Sequence, residues 1–147
     1  MPIAVIFFDL GETLVTSARR WLPNAKPLLL ALGQRGFKLG IISNTGDLAT
    51  RQAILDLLPI DFDPAIFEAS LTLFSSEVGK VKPERAIFAE AVARFGKSAS
   101  ECLYCSEDIV ETLAAQRVGM LSVRVQSPPN SDLDVLLQRI TEFEASP

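Results

Sequence analysis

Asp9 stands at the carboxyl end of an apolar run, Ile3-Ala4-Val5-Ile6-Phe7-Phe8, and opens the turn Leu10-Gly11-Glu12-Thr13-Leu14. A continuous apolar run of this length reads as a strand buried on both faces, as in a parallel sheet. A carboxylate at the carboxyl end of such a strand lies where open α/β sheets place their ligands. There it can act as a nucleophile, a metal ligand or both. Three further groups share this kind of placement: Ser43 with Asn44, Lys82 before Pro83, and the acidic cluster Ser106-Glu107-Asp108. The chain has no histidine, which excludes His-based triads, His general bases and His metal ligands. Catalysis must draw on carboxylates, hydroxyls, lysines or backbone groups.

Each group also has a structural reading. Ser43 and Asn44 are favoured caps and could start a helix near Asp47. Lys82 could be a surface lysine before a proline at a first helical position, with Lys80 as a rival in register. Glu107 and Asp108 suit a helix N-terminus, where the helix dipole favours acids. Glu111 reads as a solvent-facing helix residue, and Trp21 and Tyr104 read as packing residues.

The elements that must position these groups alternate. Strand-like runs fall at residues 3–8, 38–42, within 66–74, 102–105 and 121–125. Helical spacing is expected over residues 23–34, 47–58, 83–95, 108–118 and 131–140, with Pro59, Gly36, Gly96 and Gly119 as stops and Ser131 as a cap. This alternation argues for βαβ units: a three-layer α/β/α, Rossmann-like domain spanning residues 1–147, with a mainly parallel sheet of about five strands. Residues 144–147 read as a frayed tail.

The chain is long enough for one domain with a sizeable core. No apolar run approaches the roughly 18–20 residues of a membrane helix, and the first residues lack the basic flank of a secretory signal. A soluble, cytoplasmic protein is expected. The formal charge of −4, with no long basic cluster, argues against a nucleic-acid surface. Cys102 and Cys105 have CxxC spacing, but on a strand residues three apart face opposite ways. They read as buried structural thiols rather than a redox pair.

The order and context of the four groups resemble the haloacid dehalogenase superfamily of phosphohydrolases. In that family a hydrophobic run leads into Asp-x-Asp-x-Thr/Val, here IFFDLGETL; a Ser or Thr follows a second strand, here GIISNT; a Lys, often before Pro, precedes a helix, here VGKVKPERAIF; an acidic loop follows a later strand, here CLYCSEDIVETLAAQRVGM. The resemblance spans almost the whole chain. It implies that Asp9 attacks phosphorus to form an aspartyl phosphate, that Ser43, Asn44 and Lys82 bind the phosphoryl group, and that Mg²⁺ is held by Asp9, the Gly11 carbonyl and an acid of the fourth group, Glu107 or Asp108.

Two departures qualify the resemblance. Gly11 replaces the family's second aspartate, its general acid–base, and Ser106 replaces a metal carboxylate, while the later family acid aligns with Glu111. General acid–base help is typically worth ~10²–10⁴ in rate. The stretches from Thr13 to Ser43 and from Ser43 to Lys82 leave no room for the cap domain many members carry. The resemblance therefore implies a capless, slow phosphatase with an open site. Its substrate would be a phosphorylated small molecule or an exposed phosphoryl group on a larger one. A second subunit in a homo-oligomer could cover that site. Its rivals are a catalytically impaired binding or regulatory domain and a haloacid dehalogenase.

Overall fold

Every residue of β1 (Val5–Phe8) is buried, and its side chains divide between two apolar clusters. Ile6 and Phe8 join the larger one; Val5 and Phe7 join the smaller. That division follows from the alternation of side chains along a strand and makes β1 the centre of a sheet covered on both faces. The structure, a computed structural model, describes residues 2–145.

Along the chain β1 is followed by α1 (Ala25–Gln34), β2 (Lys38–Ser43), α2 (Arg51–Leu55), β3 (Thr72–Phe74), α3 (Ser75–Val78), α4 (Arg85–Phe95), β4 (Cys102–Ser106), α5 (Ile109–Arg117), β5 (Leu121–Arg124) and α6 (Leu133–Ala145). The five strands are parallel in the order β3-β2-β1-β4-β5. Leu28, Leu29 and Leu32 of α1 and Leu136 and Ile140 of α6 cover one face. Ile87, Phe88 and Ala91 of α4 and Ala114 and Ala115 of α5 cover the other. The chain builds outward from β1 to β2 and β3, then crosses to β4 and β5. The carboxyl ends of β1 and β4 therefore flank the switch point, where sheets of this kind bind ligands.

The three-layer parallel architecture is the one expected. Several boundaries differ. The helix expected over residues 47–58 shrinks to α2, because Thr50 captures its start by accepting from Ala53 N–H, 3.1 Å. Gly46, at φ 59°, sits in a turn in which Leu48 N–H donates to the Thr45 carbonyl. Ser43 and Asn44 consequently cap nothing. Pro83 lies ahead of α4 rather than in its first turn. Ser131 does not cap α6; its buried hydroxyl has no partner among the described residues. α6 runs through Ala145, so Glu144 and Ala145, expected in a frayed tail, are helical; residues 146–147 lie outside the described residues. Cys102 and Cys105 are free, buried and on opposite faces of β4. Burial pushes both thiols up to about 12, which suits inert packing residues.

Gly40 sets how closely β2 approaches its neighbours. A Cβ there would lie 2.6 Å from Phe7 Cδ1 and 2.7 Å from the Leu71 carbonyl oxygen. Gly40→Ala should cost about 1–3 kcal/mol through overpacking, seen as a fall of several degrees in the melting midpoint. Gly33→Ala on α1, with nothing within 4 Å of the added carbon, is the control. It should be neutral or stabilise by up to about 1 kcal/mol.

Candidate active site

Lys82 carries its ammonium into the switch point with a side chain only 1% exposed. Three partners surround the nitrogen: Asp9 Oδ1 at 2.8 Å, Glu111 Oε1 at 2.9 Å and the Tyr104 hydroxyl at 3.0 Å. An ammonium has three protons, so all three are taken. The backbone that delivers it is clamped by Asn44, whose Oδ1 accepts from Lys82 N–H (2.8 Å) and whose Nδ2 donates to the Lys82 carbonyl (3.1 Å). Lys80 instead pairs with Glu90 on α4, which settles the register between the two lysines.

The other partners come from β1, β4 and α5. Asp9 Oδ1 also accepts from Leu10 N–H, 2.8 Å. Among the described residues its Oδ2 meets the Ser106 hydroxyl alone, at 3.3 Å. That hydroxyl also lies 3.2 Å from Glu111 Oε1 and has one proton, so it serves one acid at a time. Tyr104 donates to Glu111 Oε1, 2.7 Å, while its ring meets Phe88 edge-on at 5.1 Å. Burial and then the charges of Asp9 and Glu111 hold its phenol well above the ordinary value, so it stays protonated. The expected packing role of Tyr104 is therefore half of its job. Glu111 is a correction: it turns inward from the first turn of α5, with a side chain 14% exposed. Its position three residues after the N-cap Asp108 is the signal that such a turn carries an acid back toward the strand end.

The loop after β1 forms a tight turn. Thr13, Leu14 and Val15 donate to the Leu10 carbonyl, and Glu12 donates to Val15 at φ 62°, a left-handed conformation rare for a side chain. Thr13 is fully buried, and its hydroxyl accepts from Glu107 N–H, 3.1 Å, tying the β1 and β4 loops together. Ser43 ends β2, is 6% exposed and lines the cleft beside Gly11 and Asn44. Asp9, Lys82, Ser106 and Glu111 thus form one contact network, with Ser43 on the adjoining cleft. Asn44 acts on the Lys82 backbone, and Asp108 caps α5 by accepting from Val110 and Glu111 N–H.

The charge balance is uneven: two carboxylates share one ammonium. Burial, opposed by Lys82 and aided by Glu111, holds the Asp9 pKa above its ordinary value. Glu107 is also raised, first by burial and then by Asp9, Asp108, Glu111 and Glu12. Among the described residues no three acids, thiols or imidazoles already form a metal-binding cluster. The hard oxygens that suit Mg²⁺ are those of Asp9, the Gly11 carbonyl, which accepts no backbone bond among those described, and the Glu107 carboxylate, which has no hydrogen-bonded partner there. These three are the groups on which a cation would find hard oxygens. Asp108, committed as a cap through one oxygen, is the weaker candidate.

Comparison with known proteins gives a consistent family. The model of a hydrolase family, the haloacid dehalogenase-like hydrolases, matches residues 17–119. Asp9 and Gly11 lie ahead of that span. A glyceraldehyde 3-phosphate phosphatase from Methanopyrus kandleri is 31% identical over 113 residues, covering 76% of this chain and 46% of the relative. The chain therefore spans about half the length of that curated relative. Among solved structures, an uncharacterised protein from Listeria monocytogenes matches with a TM-score of 0.77 at 18% identity, covering 98% of this chain and all of the other. A HAD phosphatase from Thermococcus onnurineus gives 0.72 at 16%, covering 94% and 98%. A HAD family enzyme from Bacteroides thetaiotaomicron, a mutant in complex with magnesium and inorganic phosphate, gives 0.72 at 15%, covering 92% and 98%.

Removing the ammonium would leave Asp9 and Glu111 facing each other without compensation. Lys82→Ala should cost about 3–5 kcal/mol at pH 7. Burial and the repulsion from Glu111, which raise the Asp9 pKa, are then unopposed by Lys82, so native Asp9 binds a proton more readily than the unfolded chain does. The penalty is full above that raised pKa and shrinks as pH falls through it. Urea denaturation of wild type and variant at pH 7 and pH 5 should show the gap narrowing at the lower pH.

Proposed function

The chain belongs to the haloacid dehalogenase-like hydrolase family, and from that premise we propose that it is a phosphomonoester hydrolase working through Asp9. The observation that carries this reading is the ion pair between Asp9 and Lys82 at 2.8 Å, at the switch point and beside the cleft lined by Ser43. Asp9 Oδ2, the less encumbered oxygen, attacks phosphorus; the bond from phosphorus to the ester oxygen breaks and the alcohol leaves. Water then attacks the aspartyl phosphate, the bond from Asp9 to phosphorus breaks, and phosphate departs. Ser43 donates to a phosphoryl oxygen. Lys82 reaches another only by exchanging one of its three partners, and Glu111 is the partner whose loss leaves Asp9 oriented.

Mg²⁺, held by Asp9, the Gly11 carbonyl and Glu107, would supply phosphoryl charge neutralisation. The open site, and connections between β1 and β3 with no room for an inserted domain, are read as a capless single domain. The proton for the leaving alcohol comes from solvent, since Gly11 offers none, and turnover is slow on substrates that need it. One observation favours a second reading, a binding domain without turnover: all three Lys82 protons are occupied within the protein.

Steady-state hydrolysis of an aryl phosphate, with and without Mg²⁺, tests the proposal. Asp9→Asn should abolish it, and activity that survives this change would end the mechanism. Because the nucleophile must be ionised and burial raises its pKa above the ordinary aspartate value, the rate should fall as pH drops, with its acid limb displaced upward from that of a free aspartate. Gly11→Asp places a carboxyl where an added Cβ meets nothing within 4 Å. It should speed alkyl phosphate hydrolysis by ~10²–10⁴ and aryl phosphate hydrolysis by less. No turnover in either protein would favour the binding domain.

A further inference from the structure

A cleft of about 420 Å³ opens beside the switch point, between the β1 loop and α2. That size lies in the range of small-molecule sites, about 300–1,000 Å³. Its inner end is polar, formed by Gly11, Ser43 and Asn44. Its walls are mainly aliphatic, with Leu10, Val15, Leu48, Ile54, Leu57 and Leu58, and Thr16, Ser17 and Thr45 also line it. Four of these walls, Leu10, Val15, Ile54 and Leu58, belong to the larger core cluster, which fixes the shape of the cleft. Leu57 is 57% exposed at the rim, an arrangement that leaves apolar surface in water until something covers it. Among the described residues the charged side chains on the lining are Glu12 and Asp47, and no lysine or arginine lines it.

We infer that this cleft is the subsite for the alcohol portion of the substrate, and that it selects an apolar group carrying no second negative charge. The inference rests on the phosphohydrolase reading for where the phosphoryl group sits, and it adds the class of molecule attached. The polar inner end adjoins the group to be cleaved, and the aliphatic walls contact the rest. Aliphatic walls gain from covering a hydrocarbon or aryl surface. Glu12 and Asp47 repel a second carboxylate or phosphate, and no cation is present to receive one. Small polar esters and doubly anionic esters therefore bind poorly.

The test uses three aryl phosphates whose leaving groups run against the expected order. 4-Isopropylphenyl phosphate, a slightly poorer leaving group than phenyl phosphate, should show a KM about tenfold lower. 4-Carboxyphenyl phosphate, a better leaving group, should show kcat/KM at least tenfold below phenyl phosphate. Leu57→Glu, at an exposed rim position, should erase the isopropyl advantage. Equal constants across the series, or preference for the carboxylate, would overturn the inference while leaving the phosphatase reading intact. If no ester is cleaved, calorimetry with 4-isopropylphenylphosphonate and 4-carboxyphenylphosphonate decides the cleft separately. Binding of the first alone, or at least tenfold tighter, upholds it without turnover. Binding of neither, or of both equally, overturns it.

Discussion

One buried cation organises the site. Lys82 enters an interior that disfavours charge, and the structure answers with two carboxylates and a phenol at 2.8 to 3.0 Å. These partners arrive from β1, α5 and β4, while Asn44 at the end of β2 grips the lysine's backbone. A buried ion pair is weak evidence for stability, because desolvation offsets much of the Coulomb gain. What it does impose is geometry. Strand ends from three parts of the sheet must converge on one nitrogen, and any register slip of β1 would turn Asp9 away from it.

The same cluster carries an excess of negative charge. In the proposed reaction an entering phosphate dianion would meet Asp9, Glu111 and the nearby Glu107, with Lys82 the cation paired to the first two. Burial first, and the neighbouring acids after it, raise Asp9 and Glu107 above their ordinary values. A proton, a divalent cation or a rearrangement of the lysine's partners can relieve the excess, and each route makes the site sensitive to conditions. The link from Thr13 to the Glu107 amide keeps the β1 and β4 loops in register while this charge is redistributed.

Much of this could be read in the sequence. Asp9 and Ser43 are legible because strands end at or just before them and apolar periodicity locates strand ends; Lys82, in the loop between α3 and α4, is marked by the Lys-Pro pair instead. The parallel sheet followed from runs such as residues 3–8, which have no polar face. What failed were judgements about direction. Glu111 lies on a helix whose exposed Ile109, Val110 and Leu113 blur its amphipathic pattern, so its inward turn had no periodic signal. Tyr104 looked like core because its ring is core; only its oxygen belongs to the site. Asn44 was assigned to phosphate because the sequence could not show that the Lys82 backbone passes within 3.1 Å of its amide. The start of α2 was misplaced because Thr50 outcompetes earlier caps once Gly46 turns the chain.

The loss of an acid at position 11 and the apolar character of the neighbouring cleft are physically consistent with each other. A leaving alkoxide with no proton donor beside it must be stable as an anion, which favours aryl and acyl oxygens over simple sugars and alcohols. Glycine also leaves the cleft wall uncharged at that point, whereas an aspartate would place a third carboxylate beside Glu12 and Asp47. Replacing the acid therefore narrows the chemistry and widens the apolar surface at one stroke. A site that relies on the intrinsic departure of its leaving group can hold that group by burial alone.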